Sequence, residues 1–199
     1  HKIRLSYPEE DYLFFIPSGA CFLLIIIMPI SEIWSLNNFD KKFSTNFKKR
    51  LMKKYKKMIK RHLYTFGKEK IYLSKNPYFT PFVKTLNENF INATIIGCHR
   101  DPKESIPSLL SNMQEAYLLM SRDITNNKHV YKYIKMYKIF YEIMKEQEHR
   151  NNNFILYHMN DISQNLVSII SKIYKQYDYI LKDEFIHKIV QISKKSKSF

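Results

Sequence analysis

Two short segments constrain this chain most: Ile71-Tyr72-Leu73-Ser74 and Ala93-Thr94-Ile95-Ile96-Gly97-Cys98. Each is apolar or β-branched, bounded by turn or capping residues, and followed by a helical pattern. Strand, helix, strand and helix in that order predict a βαβ unit. Parallel strands need such a crossover, so the chain is expected to be α/β, with a parallel sheet flanked by helices.

Ligands of open parallel sheets bind beyond the carboxyl ends of the strands, which directs attention to the residues leaving each segment. These are Lys75-Asn76-Pro77 and His99-Arg100-Asp101-Pro102. Arg100 offers a planar fork of donors suited to a phosphate, whereas Lys75 is a compact charge suited to an oxygen gaining negative charge. Ser105 and Ser108 bring hydroxyls to the start of the next helix, where the peptide dipoles favour an anion. The same Arg-Asp-Pro string also reads as a plain helix start, with Asp101 as N-cap and Pro102 in the first turn.

Ser74-Lys75-Asn76-Pro77, the helix to Phe90, the strand to Cys98, and Arg100-Asp101-Pro102-Lys103-Glu104 with Ser108 together resemble the middle of a sulfotransferase. In that family an Arg at the end of this strand and a Ser eight residues later bind the 3′-phosphate of 3′-phosphoadenosine 5′-phosphosulfate (PAPS). The resemblance assigns those roles to Arg100 and Ser108. It assigns Lys75 to stabilising the sulfuryl group in transit. A further strand pattern, Phe154-Ile155-Leu156-Tyr157, is similar to the family segment whose terminal Tyr approaches the adenine, which makes Tyr157 a cofactor contact. Here His158-Met159-Asn160 precedes Asp161, where the family has acidic residues directly after the Tyr. On the residues alone, Tyr157 reads as a core aromatic.

The resemblance implies a helix-rich, three-layer, P-loop-like fold in one domain over residues 1–199, with PAPS as co-substrate and no metal. It extends over about residues 7–187. The family's opening strand and 5′-phosphosulfate loop have no counterpart, since Gly19 and Gly67 lie in no strand-loop-helix phosphate motif. With no initiator Met or secretory pattern at its start, the sequence is expected to be a piece of a longer, sulfotransferase-like chain. The implied reaction is in-line transfer of a sulfuryl group to a hydroxyl or amine, with a general base taking the acceptor proton. Glu9, Glu10, His62 and His99 are the candidate bases, Glu10 and His62 being carried forward with Lys75 as the catalytic set. The expectation for Lys75 and Arg100 is that neighbouring parallel strands bring them to one nucleotide pocket.

A formal charge of +15 points to an anionic partner, although a chain this rich in Lys, Asn, Ile and Tyr carries its bias throughout. Residues 41–64 condense that charge into one predicted amphipathic helix. Phe43, Phe47, Leu51, Tyr55, Met58, Ile59, His62 and Leu63 lie on its apolar face, and lysines coat its back. It reads as a surface helix docked on the sheet. The functional alternative is a non-catalytic basic module that binds RNA or an anionic membrane surface. Its aromatics fall on the buried side, which argues against specific nucleic-acid reading.

Residues 13–30 are apolar, but Pro17, Gly19 and Pro29 interrupt them. The unbroken run 20–28 is far short of the roughly 20 residues that cross a bilayer. A buried helix pair is expected there, with peripheral membrane contact left open and no transmembrane span. Carboxylates at Tyr7-Pro8-Glu9-Glu10-Asp11 predict a helix start before it. Cys21 and Cys98 form no metal or redox spacing and are expected to be buried free thiols. Further helices are predicted over residues 104–121, 129–149, 161–177 and 182–193, and the Met and Tyr stripe of the second is expected to be core.

Overall fold

The computed structural model describes residues 11–28, 30–120 and 127–196. Helix dominates at 73%, and the described sheet has two parallel strands, a helix-rich α/β arrangement. A 3-10 helix, Asp11–Ser18, is followed by α1 (Leu24–Ile27), α2 (Ser31–Trp34), a second 3-10 turn and α3 (Phe39–Lys42). The expected buried helix pair is thus a set of short pieces. Pro17 interrupts the first helical segment, and Gly19 at φ 69° turns the chain behind it.

Residues 41–64 do not form one helix. The chain breaks at Phe43, whose backbone is extended, and Ser44 starts α4 (Thr45–Phe66) by accepting a hydrogen bond from the Phe47 N–H. Leu51, Met52 and Tyr55 bury one face of α4 while its nine Lys and Arg line the remainder. Gly67 ends it at φ 134°, a conformation L side chains rarely adopt.

Residues 71–74 form no strand and pair with none in the described sheet. The predicted βαβ unit between residues 71 and 98 therefore does not form among the described residues. A strand needs a neighbour for its N–H and C=O groups, and local composition cannot provide one. The side chains still alternate: Ile71 (65% exposed) and Leu73 (90%) point outward, while Tyr72 and Ser74 reach back to Asp11. Asn76 then caps a 3-10 turn, Pro77–Phe82, which leads into α5 (Val83–Asn89).

The parallel pair is instead β1 (Ile95–His99) and β2 (Phe154–His158), in register from Ile95 opposite Phe154 to His99 opposite His158. Their crossover is α6 (Pro102–Leu118) and α7 (Asn127–Arg150); α8 (Met159–Gln176) and α9 (Asp183–Ser196) follow β2. Gly97 is required by packing: a Cβ there would lie 2.7 Å from Phe154 Cζ and 3.0 Å from Leu156 Cδ1. On the opposite strand face Ile96 and Cys98 are exposed, so Cys98 is not the buried thiol expected, whereas Cys21 is buried.

The hydrophobic core sits beside the sheet and is strongly aromatic. Phe15 packs on Tyr55, Phe79 and Phe82, and Phe39 stacks on Phe82 with centroids 3.8 Å apart. Met113 and Tyr117 of α6 and Tyr133 and Met136 of α7 close it, as their helical spacing predicts. The 3-10 turn behind Lys75 is thereby anchored: Pro81 and Phe82 are buried, and Phe79 packs against the cluster.

Candidate functional site

The predicted site residues fall into two groups. Lys75 belongs to the first, directly after residues 71–74 and immediately before the Asn76 cap. That cap is an acceptor bond from the Tyr78 N–H to Asn76 Oδ1 at 3.0 Å. The segment is tied down by one carboxylate. Asp11 accepts from the Tyr55 hydroxyl, from Ser74 Oγ at 2.6 Å and from the Tyr72 hydroxyl at 3.1 Å. Burial, and then the neighbouring Asp11 carboxylate, push both phenols well above the ordinary tyrosine range, so both remain protonated donors. Lys75 is thus flanked by two fixed points, Ser74 on Asp11 and Asn76 on the turn.

His62 is exposed on α4, with its ring 5.3 Å from that of Tyr72 and 4.7 Å from Phe66. It therefore keeps the face on which periodicity puts it but is not buried there, and stands at the rim of the Asp11 cluster. Glu9 and Glu10 lie outside the described residues, as do the helix start over residues 7–10 and most of the polar break at 123–128. Sequence reasoning missed Asp11, Tyr55 and Tyr72 as parts of this site. The one available signal was Asp11 closing the Glu9-Glu10-Asp11 carboxylate run.

The second group stands at the carboxyl end of the sheet. Asp101 caps α6 by accepting from the Lys103 N–H at 2.8 Å, and Pro102 takes the first helical position. Arg100 leaves the strand exposed, and its Nε donates to Glu104 Oε2 at 2.6 Å. Ser108 lies one turn beyond Glu104 and is also exposed. Glu104 and Ser108, four residues apart, share the exposed side of α6, away from the inward Met113 and Tyr117, and Arg100 precedes the helix at the end of β1. Tyr157 is half-buried and shares the open sheet face with its register partner Cys98. His99 and His158 share the other face, with ring centroids 4.8 Å apart.

No ladder of the described sheet joins residues 71–74 to β1, so the expected route by which neighbouring strands bring Lys75 and Arg100 together is absent. A surface groove of about 200 Å³, lined by Ser18, Phe47, Arg50, Leu51 and Lys54, includes none of the predicted site residues. Among the described residues no group of three or more His, Cys, Asp or Glu could hold a metal ion, and no helix is long and apolar enough to cross a membrane. Comparison with protein-family models, curated proteins and solved structures finds no match to this chain.

Proposed function

We propose that this chain carries the cofactor-anchoring and charge-stabilising parts of a PAPS-dependent sulfotransferase with a P-loop-like sheet. The observation that carries the reading is the junction between β1 and α6. An exposed guanidinium leaves the end of a parallel strand, an Asp-Pro helix start follows it, and an exposed hydroxyl stands in the second turn of that helix. That arrangement suits one phosphate-bearing ligand lying along the helix start. The Asp11 cluster adds a second feature, an anchored backbone that presents Lys75 beside it.

In the proposed reaction the acceptor oxygen or nitrogen forms a bond to sulfur as the bond from sulfur to the bridging phosphosulfate oxygen breaks. The leaving adenosine 3′,5′-bisphosphate keeps that electron pair, and the acceptor proton passes to a base drawn from Glu10, His62 and the other candidates. Lys75 stabilises charge on the transferring or bridging oxygens, Arg100 and Ser108 hold the 3′-phosphate, and Tyr157 contacts the adenine. Catalysis of this kind rests on positioning and preorganised charge.

The Arg100–Glu104 pair competes with a phosphate for the guanidinium, through its Nε. Both side chains are more than half exposed, at 54% and 55%, and exposed pairs of this kind contribute little to stability. Opening the pair is therefore a small barrier to cofactor binding.

A second reading, a basic module for RNA or anionic membrane, is favoured by α4, which has nine Lys and Arg and no carboxylate. Calorimetric titration separates the two. Selective binding of adenosine 3′,5′-bisphosphate over AMP supports the transferase. Equal weak binding of both, alongside polyanion binding that collapses with salt, rejects it in favour of the module.

A further inference from the structure

The parallel ladder matches His99 with His158, so two imidazoles leave the same sheet face at its carboxyl edge. Their rings meet edge to face, with centroids 4.8 Å apart and planes at 83°. The Tyr141 ring stands 5.6 Å from His99 on the α7 side. His158 is also the N-cap of α8, its Nδ1 accepting from the Asn160 N–H at 3.1 Å. A neutral imidazole that accepts at Nδ1 carries its proton on Nε2, so His158 has a donor left for a ligand.

The groups facing His99 come from three elements. Lys145 and Glu148 approach from α7, and His158 with Asp161 from β2 and the first turn of α8. Arg100 follows His99 directly. Burial, and then the electrostatic influence of His158 and Lys145, hold His99 below the ordinary histidine range, against the weaker pull of Glu148 and Asp161. A protonated imidazole here gathers positive charge around itself, and an oxyanion beside the ring pair would relieve that charge.

We propose that His99 and His158 form a proton-linked subsite for a tetrahedral oxyanion, filled by a phosphate group of the nucleotide. The nucleotide's identity rests on the transferase reading; the imidazole pair does not. An anion bound to the pair stabilises the charged form of His99, so binding takes up a proton on that ring. Affinity then rises as pH falls from the bound-state to the free-state pKa of His99, by up to about tenfold for each unit between them.

Inorganic sulfate is the suitable probe, because unlike a phosphate monoester it does not titrate in this range. His158→Asn keeps a capping side chain while removing the imidazole. Nitrogen-detected imidazole spectra of the full-length chain, recorded from pH 5 to 8 with and without sulfate, should show the His99 midpoint rising with sulfate. In the His158→Asn variant the sulfate-induced shift should shrink, because one of the two anion donors is gone.

A His99 midpoint unmoved by sulfate, or moved by sulfate as far in His158→Asn as in the parent chain, overturns the subsite. The same titration with adenosine 3′,5′-bisphosphate separates the two claims. Sulfate linkage without nucleotide binding rejects the transferase reading alone. Nucleotide binding with neither imidazole responding rejects the subsite alone.

Discussion

Ser74 donates a 2.6 Å hydrogen bond to the carboxylate of Asp11, 63 residues earlier in the chain. Through it the residue preceding Lys75 is fixed to the 3-10 helix at the start of the described chain. Tyr55 joins α4 to the same carboxylate, and its hydroxyl lies 3.2 Å from Ser74 Oγ. Asp11→Ala would leave the Tyr55 hydroxyl with Ser74 as its remaining partner in this cluster and would free the Lys75 segment. Hydrogen bonds to a charged group contribute about 1.5–3 kcal/mol, and the loss is not additive across one carboxylate, so a total of about 2–4 kcal/mol is expected. Urea denaturation of the variant reads this directly; an unchanged midpoint would show that the cluster does not hold the segment.

The phenols of Tyr55 and Tyr72, and that of Tyr133 in the core, are all held above the ordinary range, chiefly by burial. A raised folded-state pKa contributes stability that is complete below the unfolded value of about 10 and is lost as pH rises toward the folded value. Stability should therefore fall above about pH 10. Spectrophotometric titration of the 15 tyrosines should show fewer phenolates forming near that pH in the folded chain than in denaturant. Identical curves would contradict the burial of these hydroxyls.

Arg100 and Glu104 make opposite predictions for cofactor binding. Arg100→Ala removes the guanidinium and should weaken adenosine 3′,5′-bisphosphate by about 10-fold or more, the scale of a charge-assisted hydrogen bond. Glu104→Gln removes the carboxylate that holds Arg100 Nε and should tighten binding about two- to fivefold, consistent with an exposed pair. Calorimetry on both variants tests the pair together. Unchanged affinity after Arg100→Ala would dismiss the phosphate role.

Lys75→Ala should act on turnover more than on binding. Loss of one preorganised charge-stabilising donor costs about 3–4 kcal/mol in the transition state, or roughly 10²–10³ in rate. The measurement is sulfate-ester formation by the full-length chain against its affinity for adenosine 3′,5′-bisphosphate. A fall in affinity equal to the fall in rate would reassign Lys75 from stabilising transfer to binding.

Gly97→Ala should destabilise the strand pair by about 1–3 kcal/mol, because the new methyl would meet the Phe154 ring at 2.7 Å. Since the clash is with a side chain, Phe154→Leu should recover part of the loss. Thermal denaturation of the single and double variants measures the coupling, and simple additivity would mean that the contact does not limit packing.

Much of the framework was legible in the sequence. Helical spacing foretold the buried faces of α4, α6 and α7, and Asp101-Pro102 foretold the start of α6. Phe154-Ile155-Leu156-Tyr157 foretold β2, which runs one residue further to His158. Residues 71–74 misled because their local pattern is strand-like while no described strand pairs with them. His62 misled for a related reason. Periodicity assigns a face but not an exposure, and near the end of α4 that face extends past the core toward Tyr72.

Chain-local physics therefore determined where helices start, which of their faces turn inward, and that Arg100 leaves a strand just ahead of a helix start that holds Ser105 and Ser108. Those properties depend on residues within a few turns of each other. Only the tertiary structure decided that Asp11 gathers Tyr55, Tyr72 and Ser74, that β1 pairs with β2, and that His99 meets His158. Each of these relationships depends on how distant segments pack, and the energies that select it appear only once the intervening chain has folded.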